Sequence, residues 1–248
     1  MDLFWKAGQY VKHQLRAKTR YGVHSPFVYE FVTQVLHGKG TPLGREVEAL
    51  RRKLRRSGER IEVEDHGAGY GGKRLDKVEK TVGEIVKSSA RGKKEGELLG
   101  RMLRRYQPKN CLEFGTNLGF STIYQCRAVP KSRFITIEGA PEIAAIARKN
   151  FQQFDISPEL IVDTFEKALS DQLNWTDFSP DYVLLDGNHR YEPTLHYVKT
   201  LLPHMKDGGM LVLDDIYWSK GMKKAWDEIC SLPEVTVSMD LFFLGICF

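Results

Sequence analysis

The stretch EFGTNLG, residues 113–119 of this chain of 248 residues, contains two glycines at a predicted junction between a strand and a helix. The apolar residues Cys111 and Leu112 precede it and predict a buried strand, and helical sequence begins at Ser121. A glycine-containing turn between a strand and a helix presents free backbone N–H groups to a ligand. We therefore predict that this turn holds a nucleotide-like ligand.

The next apolar run supports this prediction. RFITIEG, residues 133–139, reads as a strand that ends in Glu138, and Glu138 follows Glu113 by 25 residues. An acid roughly 20 residues beyond such a turn accepts hydrogen bonds from ribose hydroxyls in dinucleotide-binding folds. The spacing favours a ligand that contains a ribose.

A second glycine-rich stretch, EDHGAGYGG at residues 64–72, matches simple glycine patterns better. A weak strand candidate, IEVE, precedes it, and the charged sequence KRLDKVEKTVGEIVK follows it. No second buried strand lies within reach, so we predict a surface or lid loop there and not the ligand site.

From residue 110 onward, short apolar runs alternate with helix-like stretches such as residues 141–154 and 191–205. The runs are CLEFG (111–115), RFITIEG (133–139), ELIVD (159–163), DYVLLDG (181–187) and GMLVLDD (209–215). This alternation predicts an α/β fold with a doubly wound, mostly parallel sheet that is covered on both faces. Residues 233–248 contain two β-rich runs without a helix between them, which predicts an antiparallel hairpin at the sheet edge.

Charge divides the chain near residue 110. Residues 1–110 carry 25 Lys or Arg and 13 Asp or Glu, whereas residues 111–248 carry 12 and 19. We predict a mostly helical N-terminal extension or lid over residues 1–97, and the main domain over residues 98–248.

The composition limits the class of protein. No apolar run approaches the roughly 20 residues needed to cross a bilayer. Four widely spaced cysteines without a C-x-x-C pair favour reduced thiols over a disulfide framework or a zinc site. These observations predict a cytoplasmic protein without a membrane span.

Taken in order, EFGTNLGFS, Glu138, ELIVD and LLDG resemble the motifs of class I S-adenosylmethionine-dependent methyltransferases. The motifs DGNHRYE (186–192) and LVLDDIYW (211–218) are similar to those of the catechol and caffeoyl-coenzyme A O-methyltransferase group. The resemblance implies a Rossmann-like sheet of seven strands in the order 3-2-1-4-5-7-6, with strand 7 antiparallel.

The resemblance also implies where S-adenosylmethionine binds. Its methionine end is expected at the glycine turn, its ribose at the end of the second strand, and its adenine after the third strand. The expected residues are Glu113, Gly115, Thr116, Asn117, Gly119 and Ser121 at the turn, Glu138 and Gly139 at the ribose, Asp163, Thr164 and Phe165 near the adenine, and Asp186.

In this group a divalent cation is held by an Asp after strand 4 and an Asp-Asp or Asp-Asn pair after strand 5. The resemblance assigns these positions to Asp186, Asp214 and Asp215, and oxygen ligands suit Mg²⁺ or a similar hard ion. An alternative is that Asp186 contacts only the cofactor and that the pair ends its strand in solvent. His189 stands where the group has a lysine base, and we expect it to act as general base or to be a structural histidine.

The acceptor is expected to be a small hydroxylated molecule. Three alternatives remain: a metal-independent methyltransferase of RNA or another acceptor atom, for which the basic run RRKLRR (51–56) provides an argument; a non-catalytic binding module; and, more weakly, binding of residues 4–20 to a membrane surface. A homodimer is a further expectation.

Overall fold

The structure is a computed structural model, and it describes residues 3–18, 20–64, 77–89 and 92–248. Residues 65–72 of the glycine-rich EDHGAGYGG stretch lie outside these ranges. The interpretation of that stretch as a surface or lid loop therefore stays a prediction.

Strands form a small hairpin and a large central sheet. Their bounds are Arg60–Glu64 (β1), Lys77–Thr81 (β2), Asn110–Phe114 (β3), Arg133–Glu138 (β4), Glu159–Val162 (β5), Tyr182–Leu185 (β6), Met210–Asp214 (β7), Ser238–Asp240 (β8) and Leu244–Cys247 (β9).

The central sheet has seven strands in the order β5-β4-β3-β6-β7-β9-β8. The pairs among β3 to β7 are parallel, and β9 is antiparallel to both of its neighbours. Counted from β3, this is the predicted order 3-2-1-4-5-7-6 with an antiparallel seventh strand, so the fold prediction is confirmed. The predicted C-terminal hairpin is β8 with β9.

Helices cover the sheet between its strands. Their bounds are Leu3–Arg16 (α1), Pro26–Glu30 (α2), Leu43–Arg55 (α3), Val82–Ser89 (α4), Lys93–Tyr106 (α5), Phe120–Ala128 (α6), Pro141–Gln153 (α7), Phe165–Lys167 (α8), Tyr191–Leu201 (α9) and Lys220–Ile229 (α10). Wider π-helical turns extend α2 over Phe31–Leu36 and α8 over Ala168–Gln172. Within the described residues, no helix is long and apolar enough to cross a membrane.

Both faces of the central sheet are buried. On β6, Val183 and Leu185 belong to the apolar cluster on one face, while Tyr182 and Leu184 belong to the cluster on the other. Side chains alternate between the faces of a strand, so a strand that is apolar throughout needs cover on both sides. This is why the continuous apolar runs of the sequence become the central strands.

The N-terminal region differs in detail from the helical extension that the sequence predicts. The weak strand candidate IEVE lies within β1, which pairs antiparallel with β2. The helix before the first sheet strand begins at Lys93, three residues earlier than expected. The predicted boundary at residue 97 falls inside α5, so the division into extension and domain stays a prediction.

Helix α5 lies directly against α6, the helix that follows the EFGTNLG turn. A Cβ atom at Gly96 would lie 2.4 Å from a ring atom of Tyr124, and one at Gly100 would lie 3.1 Å from the Tyr124 carbonyl oxygen. Glycine at both positions lets the two helices approach closely. The packing of α5 against α6 therefore holds α6 in position.

We predict that Leu184→Ala, on the central strand β6, lowers the free energy of unfolding by about 2–5 kcal/mol, because it leaves a cavity at a fully buried site. Chemical denaturation measures the loss. The matched control is Leu15→Ala on α1, where the side chain is 82% exposed and little change is expected. Equal losses in the two variants would contradict the assignment of β6 to the core.

Candidate functional site

The EFGTNLG turn has the backbone conformation that its glycines allow. Gly115 and Gly119 have φ angles of +93° and +80°, and Asn117 between them has +50°. The N–H groups of Gly115 and Thr116 both donate to the carbonyl oxygen of Ile137 at the end of β4, at 3.0 and 3.1 Å. The turn is therefore anchored to the neighbouring strand.

The turn also lies against the end of β6. A Cβ atom at Gly115 would stand 1.9 Å from the carbonyl oxygen of Asp186, closer than any side chain allows. The N–H of Asp186 donates to the carbonyl oxygen of Phe114 at 2.9 Å. Glycine at position 115 thus lets the β3 turn and the end of β6 share one place at the sheet edge.

Glu113 is fully buried, and its carboxylate serves the interior of the protein. It accepts hydrogen bonds from Ser121 Oγ at 2.7 Å, Thr122 Oγ1 at 2.5 Å, Gln125 Nε2 at 2.7 Å and Thr136 Oγ1 at 2.8 Å. Burial raises the pKa of this carboxyl, and the hydroxyl donors oppose that rise. Glu113 ties the first turn of α6 to β4, and the prediction that it contacts a cofactor stays a prediction.

Glu138 ends β4 in a more open place, next to Gly139. Its carboxylate oxygens accept hydrogen bonds from the backbone N–H of Asn117 at 2.8 Å and of Ala140 at 3.0 Å. The half-buried Glu138 side chain therefore lies beside the EFGTNLG turn, at the carboxyl end of β4.

The residues after β5 continue the same edge. The N–H of Asp163 donates to the carbonyl oxygen of Glu138 at 3.1 Å, and Asp163 accepts a hydrogen bond from Gln172 Nε2 at 2.6 Å. Thr164 accepts a hydrogen bond from the Lys167 N–H and caps α8. Phe165 packs edge-on against Phe114, with ring centroids 5.3 Å apart. The structure therefore brings the third predicted group of residues beside the first two.

At the ends of β6 and β7, Asp186, His189 and Asp214 converge. One ligand atom of each lies within 4.8 Å of the others. His189 Nε2 stands 4.0 Å from Asp186 Oδ1, and both side chains are mostly buried. Among the residues that the structure describes, Asp215 is not a member of this group, although the sequence predicts it as a ligand.

The turn that carries His189 is held by polar contacts that the sequence analysis did not identify. Asn188, with φ +49°, donates from its side-chain amide to the hydroxyl of Tyr197 at 2.9 Å and accepts from Arg190 Nε at 2.7 Å. The Tyr197 hydroxyl in turn donates to Glu166. The only signal for Asn188 in the sequence is its place in DGNHRYE.

An aromatic wall borders the Asp186–His189–Asp214 group on the side of helix α1. The rings of His189 and Trp218 lie 5.9 Å apart, and Lys6 Nζ stands 5.4 Å from the centroid of the Trp218 ring. The sequence analysis did not identify His13 of the same helix. Its Nε2 lies 3.0 Å from the carbonyl oxygen of Asp240. Helix α1 thus packs beside the site through contacts that only the tertiary structure creates.

The buried Glu113 carboxyl gives a pH-dependent prediction. Because burial raises its folded pKa, the folded protein keeps this proton above about pH 4.3, where an exposed glutamate loses it. The stability that this carboxyl contributes is complete below that pH and is lost as the pH rises through the folded pKa. We expect the unfolding free energy of the native protein minus that of Glu113→Gln to fall with rising pH.

Urea unfolding between about pH 4 and pH 8 measures this difference. Glu159→Gln, which makes the same substitution at an exposed position, is the matched control. A difference for Glu113→Gln that rises with pH would show that the four donors outweigh burial.

Comparison with known proteins adds sequence evidence to this geometry. Residues 112–216 match a family model described as a methyltransferase domain. The catechol O-methyltransferase of Niastella koreensis is 32% identical over 126 residues, which cover 49% of this chain and 56% of that protein. The catechol O-methyltransferase of Mycobacterium tuberculosis is 28% identical over 136 residues, which cover 54% of this chain and 60% of that protein. The chain thus spans little more than half of the length of these curated relatives.

Among solved structures, the O-methyltransferase TomG from Streptomyces achromogenes, determined in complex with SAM, shares the fold. Its TM-score is 0.60 at 17% identity, over 89% of this chain and 94% of that chain. The matched residues 112–216 run from β3 past the end of β7, and so contain the EFGTNLG turn, Glu138 and the converging group. Over residues 112–216 the chain is thus similar in sequence to a methyltransferase domain and to catechol O-methyltransferases, and it shares the fold of a solved O-methyltransferase, in agreement with the resemblance of its motifs.

Proposed function

We propose that this protein transfers a methyl group from S-adenosylmethionine to a hydroxyl oxygen of a small molecule, with the assistance of a divalent cation. The observation that carries the proposal is the shared sheet edge at the ends of β3, β4, β6 and β7. There the turn at Gly115 touches the backbone of Asp186, which belongs to the converging Asp186–His189–Asp214 group. A donor on the turn and an acceptor at this group would be neighbours.

On this proposal, the EFGTNLG turn and Glu138 hold the methyl donor. Gly115 and Gly119 allow the positive φ angles of the turn at positions where a side chain would meet the Asp186 carbonyl oxygen or the Phe151 ring, and the Glu138 carboxylate would accept hydrogen bonds from ribose hydroxyls. Asp163, Thr164 and Phe165 border the place where the adenine would lie. Glu113 would act indirectly, because it accepts hydrogen bonds from Ser121 and Thr122 and so holds the first turn of α6 in position.

The Asp186–His189–Asp214 group suits a divalent cation by its chemistry. Two carboxylates supply charge and hard oxygen ligands at half-buried positions, and their ligand atoms already lie within 4.8 Å of each other and of the imidazole. A bound cation would stabilise negative charge on the acceptor oxygen and lower the pKa of its hydroxyl. Asp186 and Asp214 would hold it, with Asp215 next to them in the chain.

The acceptor would lie beside the Asp186–His189–Asp214 group, next to the Trp218 ring. Trp218 and His189 provide flat surfaces against which an aromatic ring can pack, and α1 closes the far side with Lys6. These residues would orient the acceptor oxygen toward the methyl group, and such positioning supplies much of the acceleration of a two-substrate reaction. The free thiols of Cys111, Cys126, Cys230 and Cys247 support a cytoplasmic location.

We predict that Glu138→Ala weakens binding of S-adenosylhomocysteine by about 10-fold to 100-fold, because hydrogen bonds to a charged group contribute about 1.5–3 kcal/mol. Isothermal titration calorimetry measures the dissociation constant. Glu159→Ala, on the adjacent strand and exposed, should bind like the native protein. Unchanged binding by Glu138→Ala would remove the ribose assignment.

The activity itself is tested with a panel of small hydroxylated acceptors, including catechols, with and without a chelator. We expect the chelator and Asp186→Asn each to lower the rate of methyl transfer by at least about 100-fold, because loss of Lewis-acid stabilisation costs several kcal/mol. Asp186→Asn should still bind S-adenosylhomocysteine, and the exposed Asp207→Asn should be fully active.

Full activity in the chelator would exclude the cation and leave a metal-independent methyltransferase. Binding of S-adenosylhomocysteine without transfer to any acceptor would favour the non-catalytic alternative.

A further inference from the structure

We infer that His189 is a cation ligand in this protein, in place of Asp215, and that the site therefore selects a transition-metal dication such as Mn²⁺ over Mg²⁺. The inference deepens the proposed function and rests on its placement of a cation at Asp186 and Asp214. It changes the chemical class of the ion and the role of His189.

The first argument is the position of the imidazole. Among the described residues, the group of ligand atoms that lie within 4.8 Å of one another consists of Asp186, His189 and Asp214. The 4.0 Å from His189 Nε2 to Asp186 Oδ1 is too long for a hydrogen bond. Two ligands of one ion are separated by a gap of this kind, because the ion lies between them.

Neither nitrogen of His189 is used by another part of the described protein. Nδ1 is buried and has no hydrogen-bond partner among the described residues, and Nε2 faces the Asp186 carboxylate across that gap. A structural histidine would be expected to use its buried nitrogen in a hydrogen bond. Nε2, the nitrogen that faces the Asp186 carboxylate, makes no hydrogen bond to another described residue and is thus available for a ligand.

The turn also holds the imidazole in place before any ligand binds. Asn188 is fixed by its hydrogen bonds to Tyr197 and Arg190, and the Trp218 ring lies beside that of His189. These contacts limit the movement of the turn from Asp186 to Arg190. A ligand that is already positioned loses little conformational entropy when the ion binds.

Asp215 is placed differently. Its backbone has φ +49°, its N–H donates to the carbonyl oxygen of Phe243 at 2.9 Å, and its carbonyl oxygen accepts from the Trp218 N–H at 2.7 Å. These bonds turn the chain from β7 toward α10. Asp214, the residue before this turn, is the member of the pair that reaches the group.

The donor set determines which ion is favoured. Three carboxylates offer only oxygen and suit Mg²⁺, whereas an imidazole with two carboxylates favours first-row transition metals, for which nitrogen ligands raise affinity. A nitrogen lone pair bound to an ion cannot accept a proton from the acceptor hydroxyl. The ligand and base roles of His189 therefore exclude each other at that nitrogen.

The test uses Mn²⁺ bound to the full chain and needs neither methyl donor nor acceptor. Pulsed electron paramagnetic resonance should detect ¹⁴N coupling from an imidazole in the native protein, and His189→Gln should lose it. The affinity of His189→Gln for Mn²⁺ should be lower than that of the native protein by on the order of 10-fold to 100-fold. Loss of a residue that only orients a metal ligand already lowers metal affinity by about this factor. Competition experiments should show that the substitution lowers the affinity for Mg²⁺ by a smaller factor. The ratio of Mn²⁺ affinity to Mg²⁺ affinity should therefore be smaller in His189→Gln than in the native protein.

Two matched variants complete the test. His196→Gln changes an exposed histidine on α9 and should keep both the ¹⁴N coupling and the affinity. Asp215→Asn should also keep them. Retained S-adenosylhomocysteine binding shows that each variant is folded.

The inference is overturned if the native protein with Mn²⁺ shows no ¹⁴N coupling. It is also overturned if His189→Gln binds Mn²⁺ like the native protein while Asp215→Asn loses affinity. Because the readout is the ion itself, a failure of methyl transfer with every acceptor would count against the proposed function and leave the ligand assignment standing.

Discussion

The contact between the turn at Gly115 and the end of β6 is the constraint on which the site depends. A side chain at position 115 would collide with the Asp186 carbonyl oxygen, and the Asp186 N–H donates to Phe114 on the neighbouring strand. Parallel strands place all their carboxyl ends at one edge, where ligands bind in open α/β sheets. Because β3 and β6 are adjacent and in register, the EFGTNLG turn and Asp186 meet there.

Two glutamates at the ends of adjacent strands show how burial assigns roles. Glu113 lies one residue before the end of β3, Glu138 ends β4, and both accept several hydrogen bonds. Glu113 is enclosed, so its hydrogen bonds hold α6 and β4 together and its pKa is raised by desolvation. Glu138 is half-buried and accepts from the backbone N–H groups of Asn117, in the turn, and of Ala140. The same side chain thus serves structure in one place and is suited to a ligand in the other.

The converging Asp186–His189–Asp214 group lies where the central sheet meets the N-terminal helix α1. Asp186 follows β6 and Asp214 ends β7, whereas Lys6, which lies over the Trp218 ring beside them, belongs to α1, far away in the sequence. The N-terminal helix also contacts the C-terminal hairpin, where Tyr10 and Phe242 pack with ring centroids 5.0 Å apart. The region beside this group is therefore assembled from segments that lie far apart in the sequence.

The central sheet and the EFGTNLG strand-to-helix turn were predictable from the residues alone. The order of the strands followed from the family resemblance. The sheet and the turn could be predicted because continuous apolar runs must be buried on two faces, and because local glycine and strand–helix context fixes a turn. The tertiary structure decided the rest: the β1–β2 hairpin, the enclosure of Glu113, the wall at Lys6 and Trp218, and the placement of His189 with Asp186 and Asp214. Neighbouring acids such as Asp214 and Asp215 look equivalent in a sequence, but one positive φ angle turns them to different places. Such distinctions depend on backbone direction and on contacts between distant residues, and local sequence patterns do not contain either.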